Sequence, residues 1–152
     1  MEDEREKRDS SKIEDLKEYF SKRRNIWKKK VRILTKMIKN AEKYSEFETK
    51  VRDAIMLILD EKAKTLEAMI TLSKKVRKVK ATNLVNIKVD MDLKLKTNSE
   101  QNIMMEDKLA DYLEKQELIQ MQLDYLDKTY LNLKDISWAS KNYIDIMKMG
   151  IE

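Results

Sequence analysis

Nine basic side chains and no acidic one lie between Tyr19 and Ala41: Lys22, Arg23, Arg24, Lys28, Lys29, Lys30, Arg32, Lys36 and Lys39. On a helix, same-sign charge over several turns repels itself, so such a run favours a counter-charge from outside. Five more cations, Lys74, Lys75, Arg77, Lys78 and Lys80, form a second cluster. Part of its reason is local, because cations near a helix C-terminus complement the dipole. Both clusters are rich in lysine, which binds phosphate as a point charge; bidentate reading of base edges favours arginine or asparagine. The chemistry on offer is therefore polyanion binding, with a solvated lysine face as the plain alternative. Trp27, beside Lys28, falls on an apolar line and reads as packing before stacking.

Other chemistries lack their residues. The chain has no cysteine and no histidine, so thiolate chemistry, zinc fingers and the usual neutral-pH proton shuttle are missing. Carboxylate pairs such as Asp60–Glu61 and Glu106–Asp107 are adjacent in sequence and do not share a helix face. There is no glycine-rich phosphate loop and no nucleophile elbow. The reading is of a non-enzyme that needs no cofactor and no metal. Charge is also unevenly placed. Residues 1–98 carry 27 basic and 17 acidic side chains, against 6 and 11 in residues 99–152, so an acidic partner suits the front only.

The elements that must position these residues are mostly helical. Proline is absent and glycine occurs once, at Gly150, a composition that favours long helices over tight turns. Residues 1–12 are almost wholly charged and read as a disordered lead-in; residues 13–152 then form a single helical domain. Ile13, Leu16, Phe20, Trp27, Val31, Leu34 and Ile38 set a helical period that predicts a helix over 13–44. Ser11 with Glu14, and Ser45 with Glu48, have capping-box spacing. A second line, from Phe47 and Val51 through Lys62, Leu66, Ile70 and Ser73, predicts a helix over 46–81. With no turn residue between them, one helix or two fits residues 13–81 nearly equally.

Residues 84–97 read differently. Ile87, Val89, Met91, Leu93 and Leu95 alternate with charged residues, which is the period of a strand with one dry face. A lone strand cannot satisfy its own backbone, so its mate is expected on another copy of the chain. Beyond it, Leu109, Tyr112, Gln116, Ile119, Leu123, Leu126, Tyr130 and Leu133 alternate at spacings of three and four, predicting a long helix over 99–149. The expected fold is mainly α: long helices around one short β-strand, an elongated helical hairpin assembling as an oligomer. Ile87, Val89, Met91, Leu93, Leu95, Leu123 and Leu126 are its expected interface. No apolar run reaches transmembrane length, and the start MEDEREKRD is unlike a signal peptide, so a cytoplasmic protein is expected.

The C-terminal half, DKLADYLEKQELIQMQLDYLDKTYLNLKDISWASKNYIDIMKM over Asp107 to Met149, resembles the UvsY-like phage recombination mediator family. The resemblance is carried by the long helix and by Lys134, Trp138, Ala139, Lys141, Tyr143 or Ile144, and Asp145, with a short strand before them. It implies a ring-like homo-oligomer of helical subunits, acting in the host cell's cytoplasm. It also implies non-specific single-stranded DNA binding and contacts with a RecA-type recombinase and a single-strand-binding protein. Ser137 stands where the family pattern has glycine. The candidate nucleic-acid residues therefore rest on charge and are those of the two basic clusters. A coiled-coil adaptor whose basic face meets an acidic protein partner, or an anionic membrane, is the alternative reading.

Overall fold

The computed structural model describes the backbone of residues 2–40, 44–89 and 98–150, and side chains of 11–40, 44–82, 100 and 109–150. Three helices account for nearly all of it: α1 (Glu2–Met37), α2 (Tyr44–Val89) and α3 (Asn98–Met149). The chain divides into two compact units. One is built from Met1–Glu18 and Leu66–Met121, the other from Tyr19–Thr65 and Gln122–Glu152, so every helix contributes to both.

The unit containing Tyr19–Thr65 holds the main apolar core. Trp27 and Leu34 of α1 pack with Phe47, Val51, Ala54 and Ile58 of α2 and with Leu126, Leu133 and Ile136 of α3. On α1 the buried residues Ile13, Phe20, Trp27 and Leu34 recur every seven residues. On α2 Phe47, Val51, Ala54 and Ile58 fall at spacings of four, three and four, and on α3 Leu126, Thr129, Leu133, Ile136 and Ser140 at three, four, three and four, which keeps one stripe turned inward. The other unit buries Ile13, Leu72, Val76, Leu109 and Ile119. Within it Gln116 Nε2 donates to Ser73 Oγ at 3.2 Å, and Lys17 bridges Glu114 at 3.0 Å. The polar break in the α3 stripe thus has a cross-helix partner.

Several expectations are corrected. The fold is three packed helices, not a hairpin around a strand, and there is no β-strand among the described residues. Leu84 to Val89, including the expected interface residues Ile87 and Val89, lie in α2. Met91, Leu93 and Leu95 lie outside the described residues. The physical reason is cooperativity: extending a helix already nucleated adds one hydrogen bond per residue fixed. The β-branched residues of this stretch forfeit only a few tenths of a kcal/mol each in helix propensity. The expected partner strand on a second copy therefore has no basis at these positions.

Residues 13–81 form two helices, not one. Past Met37 the chain turns without glycine or proline, the Asn40 N–H donating to the Met37 carbonyl at 3.1 Å. Helical backbone extends back to Glu2, across the charged lead-in, so Ser11 is inside α1 and caps nothing. Ser45 is likewise inside α2, its carbonyl accepting from Thr49 Oγ1 at 3.0 Å. Leu123 and Leu126, expected at an oligomer interface, are buried within the single chain. Among the described residues, no helix is long and apolar enough to cross a membrane.

Candidate nucleic-acid interface

The basic run of α1 separates into two groups once the helix is packed. Lys22, Lys28, Lys29, Arg32, Lys36 and Lys39 are exposed. At 3.6 residues per turn the first five span an arc of roughly 120° on α1, and Lys39 lies in the turn just past its end. The buried line of Phe20, Trp27 and Leu34 lies on the opposite side of that wheel. Lys28, Lys29, Arg32 and Lys36 have no carboxylate partner among the described residues.

Arg23, Arg24 and Lys30 belong to the second group, and they are committed inside the chain. Arg23 donates from Nε to Glu61 Oε1 at 3.0 Å and from a terminal nitrogen to Oε2 at 2.6 Å, a two-pronged pair. Trp27 Nε1 donates to the same Oε2 at 2.7 Å. Arg24 donates to Gln122 Oε1 at 3.3 Å, and the Arg24 carbonyl accepts from the Tyr125 hydroxyl at 3.0 Å. Lys30 Nζ lies over the Trp27 ring, 5.2 Å from its centre. These contacts fix α1 against α2 and α3, so the exposed arc is held by a rigid surface.

Glu61 is the acceptor at the centre of this arrangement. Burial pushes its carboxyl pKa up, but the hydrogen bonds from Arg23 and Trp27, with the charges of Arg23 and Lys30, more than offset that. Its pKa lies below the ordinary carboxylate value. The hydrogen bond to Glu61 raises Arg23 further, so the pair stays ionised at neutral pH.

In the second cluster, Lys74, Lys75, Arg77, Lys78 and Lys80 are all exposed on α2, interrupted by buried Val76. This cluster belongs to the unit of Leu66–Met121, and the α1 arc to the other. Among the described residues no group of three or more histidine, cysteine, aspartate or glutamate side chains could hold a metal ion. The two clusters present exposed positive charge, the kind that neutralises phosphates or carboxylates.

Two features escape a reading by charge alone. In the sequence Glu61 stands out only as the neighbour of Asp60, and the packed helices place it against Arg23 and Trp27. Beside the cationic arc, Tyr19, Ile26 and Ile33 recur every seven residues and are exposed, as is Leu57 across the seam on α2. The spacing was present in the sequence, but it coincides with the buried line one residue away. No family model, no curated protein and no solved structure matches this chain.

Proposed function

We propose that the chain is a non-enzymatic single-stranded DNA-binding protein that holds the strand by phosphate contacts along α1. One observation carries the reading: five cations, Lys22, Lys28, Lys29, Arg32 and Lys36, are exposed on one arc of α1, Lys39 is exposed in the turn just past its end, and no acidic residue lies between Tyr19 and Ala41. Point charges on flexible stems neutralise phosphates without reading bases, and a strand that bends can follow them. The resemblance to UvsY-like mediators adds the setting, in which such binding helps load a RecA-type recombinase. A homo-oligomer would multiply these weak contacts.

The test is fluorescence anisotropy with labelled poly-dT, duplex DNA and heparin across a salt series. The informative variant is Lys29→Ala, Arg32→Ala, Lys36→Ala together, which removes three exposed cations and leaves the committed residues intact. Loss of three phosphate contacts flattens the slope of log affinity against log salt by about 2, at roughly 0.7 per single-strand phosphate. An unchanged slope in a folded triple variant rejects α1 as the interface.

A second reading is favoured by the exposed line of Tyr19, Ile26, Ile33 and Leu57. Lys22, Lys29 and Lys36 each follow a member of the α1 line by three residues, so the apolar stripe has a cationic border. That pattern complements an amphipathic helix with acidic flanks. Binding of an acidic amphipathic peptide, with no binding of poly-dT at low salt, would put this reading first.

A further inference from the structure

We propose that Trp138 is a base-stacking subsite for single-stranded nucleic acid, with Lys134 and Lys141 as its phosphate contacts. This rests on the single-strand reading above and names a second contact surface for it. The chain's two tryptophans are in opposite situations. Trp27 is 1% exposed and hydrogen-bonded to Glu61. Trp138 is 69% exposed, although it belongs to a helix with a well-formed buried stripe. Its exposure leaves a flat aromatic face open to solvent, on which a base can stack.

Its surroundings are not those of a stray surface residue. Trp138 borders a cleft of about 430 Å³ lined also by Ile55, Lys134, Asp135, Ser137 and Lys141. The cleft continues past Ile55, Ser137 and Lys141 into a smaller groove of about 200 Å³ that reaches Arg52 and Met56. Ile55 belongs to α2 and the other lining residues to α3. Lys134 is four residues before Trp138 and Lys141 three after, so all three share one side of α3. Lys134 Nζ lies 5.5 Å from the centre of the Tyr130 ring, but its side chain remains exposed, whereas Lys30 is half-buried.

An indole face accepts any base, and cations on both sides of it suit the phosphates that flank that base. The two acidic residues of the cleft limit the path. Glu48 pairs with Arg52 at 3.3 Å, and Asp135 repels phosphate on its own side. The strand is therefore placed along the Lys134–Trp138–Lys141 line. Tryptophan also anchors protein interfaces, so a base stack is distinguished from a protein contact by its sensitivity to removal of the base.

Two probes of equal phosphate count separate stacking from charge: a dT oligomer and its abasic counterpart. Trp138→Ala should weaken dT binding by about 5- to 150-fold, the range of one base–aromatic stack. It should leave abasic binding and the salt slope unchanged. Tryptophan emission should be quenched by dT in the unaltered protein and not in Trp138→Phe, whose remaining Trp27 is buried. Being exposed, residue 138 can be replaced with little change in melting temperature, which is measured alongside. Equal dT affinity in Trp138→Ala, while the α1 triple variant loses it, overturns this subsite and leaves the α1 reading standing. No binding of either probe at low salt overturns both. A changed sedimentation mass in Trp138→Ala with dT affinity intact assigns the indole to a protein contact and overturns the proposal.

Discussion

Glu61 shows how much one side chain can decide. Its two oxygens receive three hydrogen bonds, two from Arg23 and one from Trp27, and both donors come from the cationic helix. Removing the acceptor strands a guanidinium and an indole N–H, so Glu61→Ala should cost about 1–3 kcal/mol. The pH dependence has a definite sign. The folded-state pKa of Glu61 is depressed, so the unfolded state takes up its proton first as pH falls. The stability it contributes is complete above the ordinary carboxylate pKa of about 4.3 and is lost as pH falls through the lower folded value. Melting temperature measured from pH 7 to pH 3 should therefore fall less steeply for Glu61→Gln than for the unaltered protein. Parallel curves would show that another carboxylate governs acid unfolding. Sequence pattern did not reveal this role, because a glutamate beside Asp60 on a charged helix looks like solvated surface. Its function depends on residues 34 and 38 positions away.

At the scale of the elements, legibility followed the purity of each stripe. The α3 line was readable in large part: Leu109, Ile119, Leu123, Leu126 and Leu133 are buried, Tyr112, Gln116 and Tyr130 are half-buried, and the buried Gln122 and Thr129 fall outside it. The α2 line was readable at its start and then departed from the reading. Leu66 and Ile70 look like its continuation but are exposed, while the buried line runs from Ile58 by way of Glu61 and Thr65 to Leu72. Polar residues can hold inward positions there because they are satisfied, Glu61 by Arg23 and Trp27 and Thr65 by the Glu61 carbonyl at 2.8 Å. Apolar spacing alone carries no information about such pairings. Leu126→Ala removes a side chain that is fully buried and should cost about 2–5 kcal/mol. Leu131→Ala, on the exposed side of the same helix, should change stability by no more than about 0.5 kcal/mol. Chemical denaturation of the two variants checks the orientation of α3, and equal losses would contradict it.

At the scale of the whole molecule, the question is what a single chain leaves unsatisfied. The alternation from Ile87 to Leu95 suggested a strand that needs a second copy. A lone strand would leave its backbone groups free, but within α2 the amide groups of Leu84 to Val89 bond along the helix. Period two in the sequence describes which side chains are apolar; it does not outweigh forty residues of helix already formed before it. Leu123 and Leu126 likewise spend their apolar surface inside the chain. Val85→Pro distinguishes the two pictures. In a helix, proline removes one hydrogen bond and clashes with the preceding turn, at up to about 3 kcal/mol and less where the last turn frays. Far-UV helicity should fall as α2 shortens, while sedimentation velocity should give the same mass as the unaltered protein. A smaller mass with helicity intact would mean that these residues join copies through a ladder.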